Sequence, residues 1–206
     1  METQALVHFV AASLLITITP GPDILYVLAS SLRSGFKTGI FIALGLCSGL
    51  IIHTSLVGFG AAQLIQQSLL WTSIFKIFGV SYMLWLAYKV YQSDSKLVIQ
   101  KVIQDKNGFG GYFAQGFLMN LLNPKVSMFF LAFLPHFIHA DSGNITEQAF
   151  VLGGIFFIQA LLVFSLVAFL SGKIHKLIDG NLKINHWMNV FQIVLFVFIA
   201  LSILLI

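Results

Sequence analysis

Thr19-Pro20-Gly21-Pro22-Asp23 cuts into an apolar run that begins at Ala5-Leu6-Val7, and Leu122-Asn123-Pro124-Lys125 cuts into a second that begins at Tyr112-Phe113. Proline has no backbone N–H and collides with the preceding turn. Each run therefore reads as two half-helices meeting near the middle of a bilayer. Interrupted apolar segments at corresponding positions of two halves point to the binding site of a membrane carrier. The separation of Pro20 from Pro124 is close to half of the 206-residue chain.

The composition agrees. Hydrophobic residues make up 58% of the chain and charged residues 9%, where soluble domains carry roughly 25% charged residues. Mean hydropathy is +0.95. Glu2 is the only charged side chain before Asp23, so the amino-terminal run lacks the basic region of a cleaved signal peptide and reads as a first transmembrane segment. The single Cys47 offers neither a disulfide framework nor a four-cysteine zinc site.

A crossing of roughly 30 Å of hydrocarbon needs about 20 apolar residues. On that measure six spans are expected, approximately Gln4–Ser31, Gly39–Ala62, Leu69–Tyr91, Tyr112–His139, Gln148–Gly172 and Trp187–Ile206. The intervening gaps sort the charge. Arg33, Lys37, Lys89, Lys96, Lys101, Lys106, Lys173, Lys176 and Lys183 fall on one side, nine of the eleven basic residues. Excess Lys and Arg mark the cytoplasmic side, so both termini are expected outside the cytoplasm. This distribution of basic residues in short gaps is that of topology-setting charge, and it excludes a nucleic-acid partner.

Three spans per half make the fourth run opposite to the first. The expectation is an all-α integral membrane protein, a single transmembrane domain over 1–206 built from two inverted three-helix repeats. Repeat 1 covers about 4–92, a linker about 93–111, and repeat 2 about 112–206.

Polar residues within the apolar runs are the candidates for chemistry. Breaking a helix in hydrocarbon frees N–H and C=O groups that must find partners, and such breaks persist where they line a cavity. A carboxylate or ammonium at that depth costs about 2.5–3.5 kcal/mol on insertion scales, so Asp23 and Lys125 should face the bundle interior. Each follows a proline, Pro22 or Pro124, so aligning these prolines makes the two residues equivalent. They read either as a structural ion pair locking the breaks or as a divided site for a zwitterion, Asp23 drawing an ammonium and Lys125 a carboxylate. The two readings are compatible if substrate opens the pair.

His53 is a candidate proton relay or a histidine satisfied between helices. Asn123 can cap the second break. Gln159 hydrogen-bonds either a neighbouring helix or the ligand. Gln115 and Asn120 are further polar residues within spans. His136, His139 and Asp141 read as an interfacial polar cluster, with a metal site as the alternative. Gly39, Gly45, Gly49, Gly153 and Gly154 read as close-packing positions, and Trp71, Trp85 and Trp187 as interfacial anchors. No H-E-x-x-H, G-x-S-x-G, Walker A or dinucleotide-binding glycine pattern occurs, so no enzyme and no cofactor are expected. An ATP-driven pump would need a soluble nucleotide domain, for which this chain has no room.

The two proline motifs, with Asn120-Leu121-Leu122 leading into the second, resemble the lysine-exporter (LysE/RhtB-type) amino-acid translocator family. The Phe78-Gly79-Val80-Ser81-Tyr82-Met83-Leu84-Trp85-Leu86 stretch is similar to that family's third-span pattern. Gly45-Leu46-Cys47-Ser48-Gly49 and the following His53 resemble its homoserine/threonine-exporter branch. The resemblance covers essentially the whole chain. It implies a bacterial inner-membrane exporter of amino acids or close derivatives, driven by proton antiport. It implies that Pro20, Gly21, Pro22, Asp23, Asn123, Pro124 and Lys125 are signature positions. Asp23 departs in part, since some relatives carry an amide or a small residue there. The expected partners are an amino-acid substrate, a coupling proton and the lipid bilayer, with a homo-oligomer left open. The competing readings are a divalent metal-ion exporter of the same superfamily and a non-transporting membrane scaffold.

Overall fold

The computed structural model describes residues 3–61, 69–92, 108–139, 141, 143–178 and 182–205. Among them there is no strand. The helices are α1 (Thr3–Ile18), α2 (Pro22–Ser34), α3 (Phe36–Leu56), α4 (Leu69–Gln92), α5 (Gly108–Leu121), α6 (Pro124–Met128), α7 (Ile145–Phe169), α8 (Ser171–Ile178) and α9 (Leu182–Leu205). Residues 93–107 of the expected linker lie outside the described residues, and α5 opens at Gly108.

Both proline motifs break a helix. The axes of α1 and α2 differ by 55°, and those of α5 and the segment Pro124–Phe137 by 48°. Pro22 and Pro124 each sit in the first turn of the second half-helix, where an N–H would have no acceptor within that half-helix and the fixed φ suits it. Gly21 precedes α2 in extended backbone. Asn123 precedes α6 and its side chain accepts from the Lys125 N–H at 3.1 Å. Beyond Met128 the chain widens into a π-type turn at Phe129–Phe133 and tightens into a 3₁₀ turn at Leu134–Phe137.

The apolar helices are hydrophobic on all sides, the mark of an element that faces lipid as well as protein. On α7, Leu152, Phe156, Ala160, Phe164 and Ala168 are buried at helical spacing. Val151, Ile158, Leu162, Leu166 and Phe169 are exposed on the opposite face. Among the described residues, three helices are long and apolar enough to cross a membrane, at Phe36–Gly60, Ile145–Phe169 and His186–Leu204, or up to five spans if each bent pair counts as one. The 24-residue α4 packs along α9. The short helix α8, between α7 and α9, was not anticipated from the sequence. Its Ser-Gly-Lys-Ile-His-Lys-Leu-Ile alternates polar and apolar residues at a helical period.

The centre of the bundle is α3, which packs against α5 on one side and α7 on another. A Cβ at Gly45 would collide with the Phe113 carbonyl of α5, and a Cβ at Gly116 with the Ile42 carbonyl of α3. The two glycines bring these backbones into direct contact. Gly49 likewise admits the Asn120 side chain, and Gly153 admits Thr54.

An aromatic cluster packs α1, α7 and the segment that follows α6 against one another. Phe9 of α1 meets Phe137 edge-on at 5.4 Å, Phe129 meets Phe156 at 5.2 Å, and Phe130 stacks on Phe156 at 5.3 Å. Phe129 and Phe130 are fully buried.

Candidate functional site

The site grows out of the missing proline N–H groups. In an unbroken helix the Ile16 carbonyl would accept from residue 20, and the Asn120 carbonyl from residue 124. Both positions are proline, so both carbonyls lose their partners. An ionisable side chain from elsewhere in the fold reaches each of them. Lys125 Nζ donates to the Ile16 carbonyl at 3.2 Å and to the Thr19 carbonyl at 3.3 Å. His53 Nε2 lies 3.4 Å from the Asn120 carbonyl, which also accepts from the Asn123 N–H at 3.0 Å. A carbonyl only accepts, so His53 carries its hydrogen on Nε2 in this contact.

Asp23 completes the first arrangement. Its Oδ1 and Oδ2 both lie 3.4 Å from Lys125 Nζ, and the side chains are 3% and 7% exposed respectively. The fields of the half-helices favour this placement. Asp23 is in the first turn of α2, at the positive end of that helix, and the Lys125 ammonium rests on the negative carbonyl end of α1. Every contact to Nζ is longer than the 2.7–2.9 Å usual for charge-assisted bonds, so four oxygens share the ammonium and none holds it tightly.

Beside the pair lies a cavity of about 10 Å³, the room of a single water. Its walls include Thr17 and Asp23 of the first break, Asn120 and Lys125 of the second, Leu50 of α3, and Phe156 and Ala160 of α7. Phe156 belongs both to the aromatic cluster and to the wall of this cavity. The two breaks thus meet at one small, buried cavity.

The anticipated residues do not all meet in one place. Asp23 and Lys125 are in direct contact, and Gly21 lies against them; a Cβ there would come within 2.7 Å of Asp23 Oδ1 and 3.0 Å of Lys125 Nζ. His53 stands one contact further out, behind Asn120 and 5.6 Å from the Phe130 ring centre. Pro22, Asn123 and Pro124 line a separate groove of about 570 Å³ with Gln115. Pro20 acts through the bond it withholds. Gln159 does not line the cavity; its Oε1 accepts from Ser13 Oγ at 3.3 Å, joining α7 to α1.

His136, His139 and Asp141 form no metal-holding group, and no three His, Cys, Asp or Glu side chains gather anywhere among the described residues. Gln148 instead ties down this loop. Its Oε1 accepts from the His139 N–H at 3.2 Å, and its Nε2 donates to the His139 carbonyl at 2.9 Å.

Several site groups escaped the reading by residue type. The Ile16 and Thr19 carbonyls are backbone, although counting four residues back from Pro20 finds the first of them. Tyr26 and Ser30 continue the Asp23 face of α2 at three- and four-residue steps. Both are buried.

Known proteins resemble this chain over most of its length. A family profile described as LysE type translocator matches residues 14–205. The chain is 27% identical over 197 residues to the uncharacterized membrane protein YrhP of Bacillus subtilis, covering 92% of this chain and 91% of that protein. It is 28% identical over 172 residues to the homoserine/homoserine lactone efflux protein of Salmonella typhimurium, covering 84% and 82%. The efflux protein of the same name from Salmonella typhi is 27% identical over 172 residues, with the same coverage. No solved structure matches. The chain is a multi-pass membrane protein and belongs to the LysE type translocator family.

Proposed function

We propose that this chain is a secondary exporter of amino acids or close derivatives across a bacterial inner membrane, working by proton antiport and alternating access. The carrying observation is the buried Asp23–Lys125 pair, which joins the two helix breaks beside a small cavity. A zwitterion presents the same two charges to the same two partners. Its carboxylate engages Lys125 and its ammonium engages Asp23, so entry of substrate exchanges one neutral pair for two.

The homoserine and homoserine lactone named for the Salmonella relatives both carry a primary ammonium, and homoserine alone carries a free carboxylate. The residues we assign to substrate and ion binding are Asp23 and Lys125, with Gly21 admitting the pair. Pro20, Pro22, Asn123 and Pro124 shape the breaks. His53, against the Asn120 carbonyl, joins Asp23 and Lys125 as a group able to carry the coupling proton. Gln159 fixes α7 against α1.

On this reading α4 is a sixth span, and the halves are inverted repeats divided at about 93–111. The packing supports the repeat. Pro22 and Pro124 hold the same position in α2 and α6. Under the repeat α3 corresponds to α7 and α4 to α9; α3 packs on α7, and α4 on α9. Rocking of one repeat against the other opens the cavity first to one side, then to the other. The aromatic cluster forms one gate. Basic residues in the α2–α3, α4–α5 and α7–α9 gaps face the cytoplasm, with both termini outside.

The metal-exporter reading gains nothing from the site, because the Lys125 ammonium on Asp23 repels a second cation. The test is uptake of labelled amino acids, homoserine included, into proteoliposomes with and without an imposed pH gradient. Saturable, gradient-dependent transport of an amino compound is expected. Flux of a divalent metal and of no amino compound would overturn the reading.

A further inference from the structure

Lys125 Nζ sits in a socket that its own segment does not build. The Ile16 carbonyl, the Thr19 carbonyl and the Asp23 carboxylate surround it at 3.2, 3.3 and 3.4 Å, and all three belong to the first break. Three acceptor groups around one nitrogen match the three N–H donors of a primary ammonium. Ile16 is free to contribute only because Pro20 has no N–H to give it. Lys125 comes from the other half of the chain and enters as a tethered guest.

We propose that this socket is the ammonium-binding subsite of the transport cycle, and that Lys125 occupies it between turnovers as a surrogate for the substrate's own ammonium. The proposal rests on the amino-compound reading of the preceding subsection and specifies its recognition chemistry. The ligand class is a compound bearing a primary ammonium. Its carboxylate is a secondary determinant, met by Lys125 after displacement.

Three features of the site fit a displaceable guest. The contacts to Nζ are uniformly long. Gly21 offers no side chain that would wall the socket off, since a Cβ there would press on Asp23 Oδ1 and Lys125 Nζ together. The adjoining cavity, with Thr17 and Asn120 among its walls, has room for one water to solvate the ammonium as it leaves the socket. Chemistry then ranks the ligands. A primary ammonium fills all three acceptors, and an N-methyl derivative fills two. An N-acetyl derivative has lost the charge and two donors. Each bond withheld from a charged donor weakens binding about tenfold. An amino-acid methyl ester keeps the whole ammonium and loses only the second contact.

Two measurements test the socket. In wild-type proteoliposomes, the methyl ester of the transported amino acid should inhibit within about tenfold of the parent compound, and its N-acetyl derivative at least about a hundredfold more weakly. Separately, purified Lys125→Met protein should be stabilised against heat by ethylammonium and not by tetramethylammonium, whereas wild type should respond to neither. Lys125→Leu serves the same purpose if the methionine variant is not recovered. N-acetyl inhibition equal to that of the parent would overturn the proposal. So would identical thermal responses of variant and wild type to ethylammonium. Ethylammonium stabilisation of the variant without transport of any amino compound would uphold the socket and sink the transport reading instead.

Discussion

At the scale of the residue, a buried ion pair is held by geometry more than by net attraction. Desolvation of two charges offsets most of their Coulomb gain, and removing one partner strands the other at a cost of about 3–5 kcal/mol. Asp23→Asn or Lys125→Met alone should therefore lower the melting temperature in detergent and abolish transport. The double variant should recover much of the stability and none of the transport. A double-mutant cycle on thermal unfolding checks the coupling, and additive losses would argue against a paired site. Gly21→Ala is the finer probe. Its backbone is extended, at φ −157° and ψ 176°, so alanine is tolerated there, but the added methyl presses on both charged ends. Transport should fall while the melting temperature holds, as measured on one preparation.

At the scale of the element, each break is a proline together with the group that answers for it. Pro124→Ala would return an N–H to the Asn120 carbonyl and make the His53 contact redundant. The 48° bend should lessen and transport should drop without loss of thermal stability; unchanged transport would show that the second break is only a kink. The close packing of α3 on α5 makes a steric prediction. Gly116→Leu drives a side chain into the Ile42 carbonyl and should cost at least about 1–3 kcal/mol. Gly154→Leu points into open space and should cost little. Recovery of monodisperse protein in size-exclusion chromatography separates the two.

This is also where the sequence was most legible. Pro20 and Pro124 announced both bends, and the cost of burying charge brought Asp23 and Lys125 inward. The pattern of residue types could not say which backbone atoms receive them, because carbonyls carry no letter. Nor could it show that Gln159 meets Ser13 rather than the cavity, since the rotation of α7 about its axis is set by packing on α3 and α1. The helix α8 was hidden for a different reason: in a short polar gap, amphipathic periodicity has too few residues to stand out.

At the scale of the whole molecule, we propose that two halves of opposite orientation meet around one cavity. The topology is open to direct test. In a Cys47→Ala background, Ser34→Cys at the end of α2 and Asp141→Cys before α7 introduce exposed thiols at the two ends of the bundle. An impermeant maleimide applied to intact cells should label the second and spare the first; the reverse pattern would invert the assigned orientation. The central claim, that opposite charges brought together at two broken helices bind and move an amino compound, is tested most directly by counterflow of a labelled amino acid in proteoliposomes, comparing wild type with Asp23→Asn/Lys125→Met. Accumulation is expected with wild type and none with the folded double variant. Counterflow by the double variant at the wild-type rate would contradict that claim.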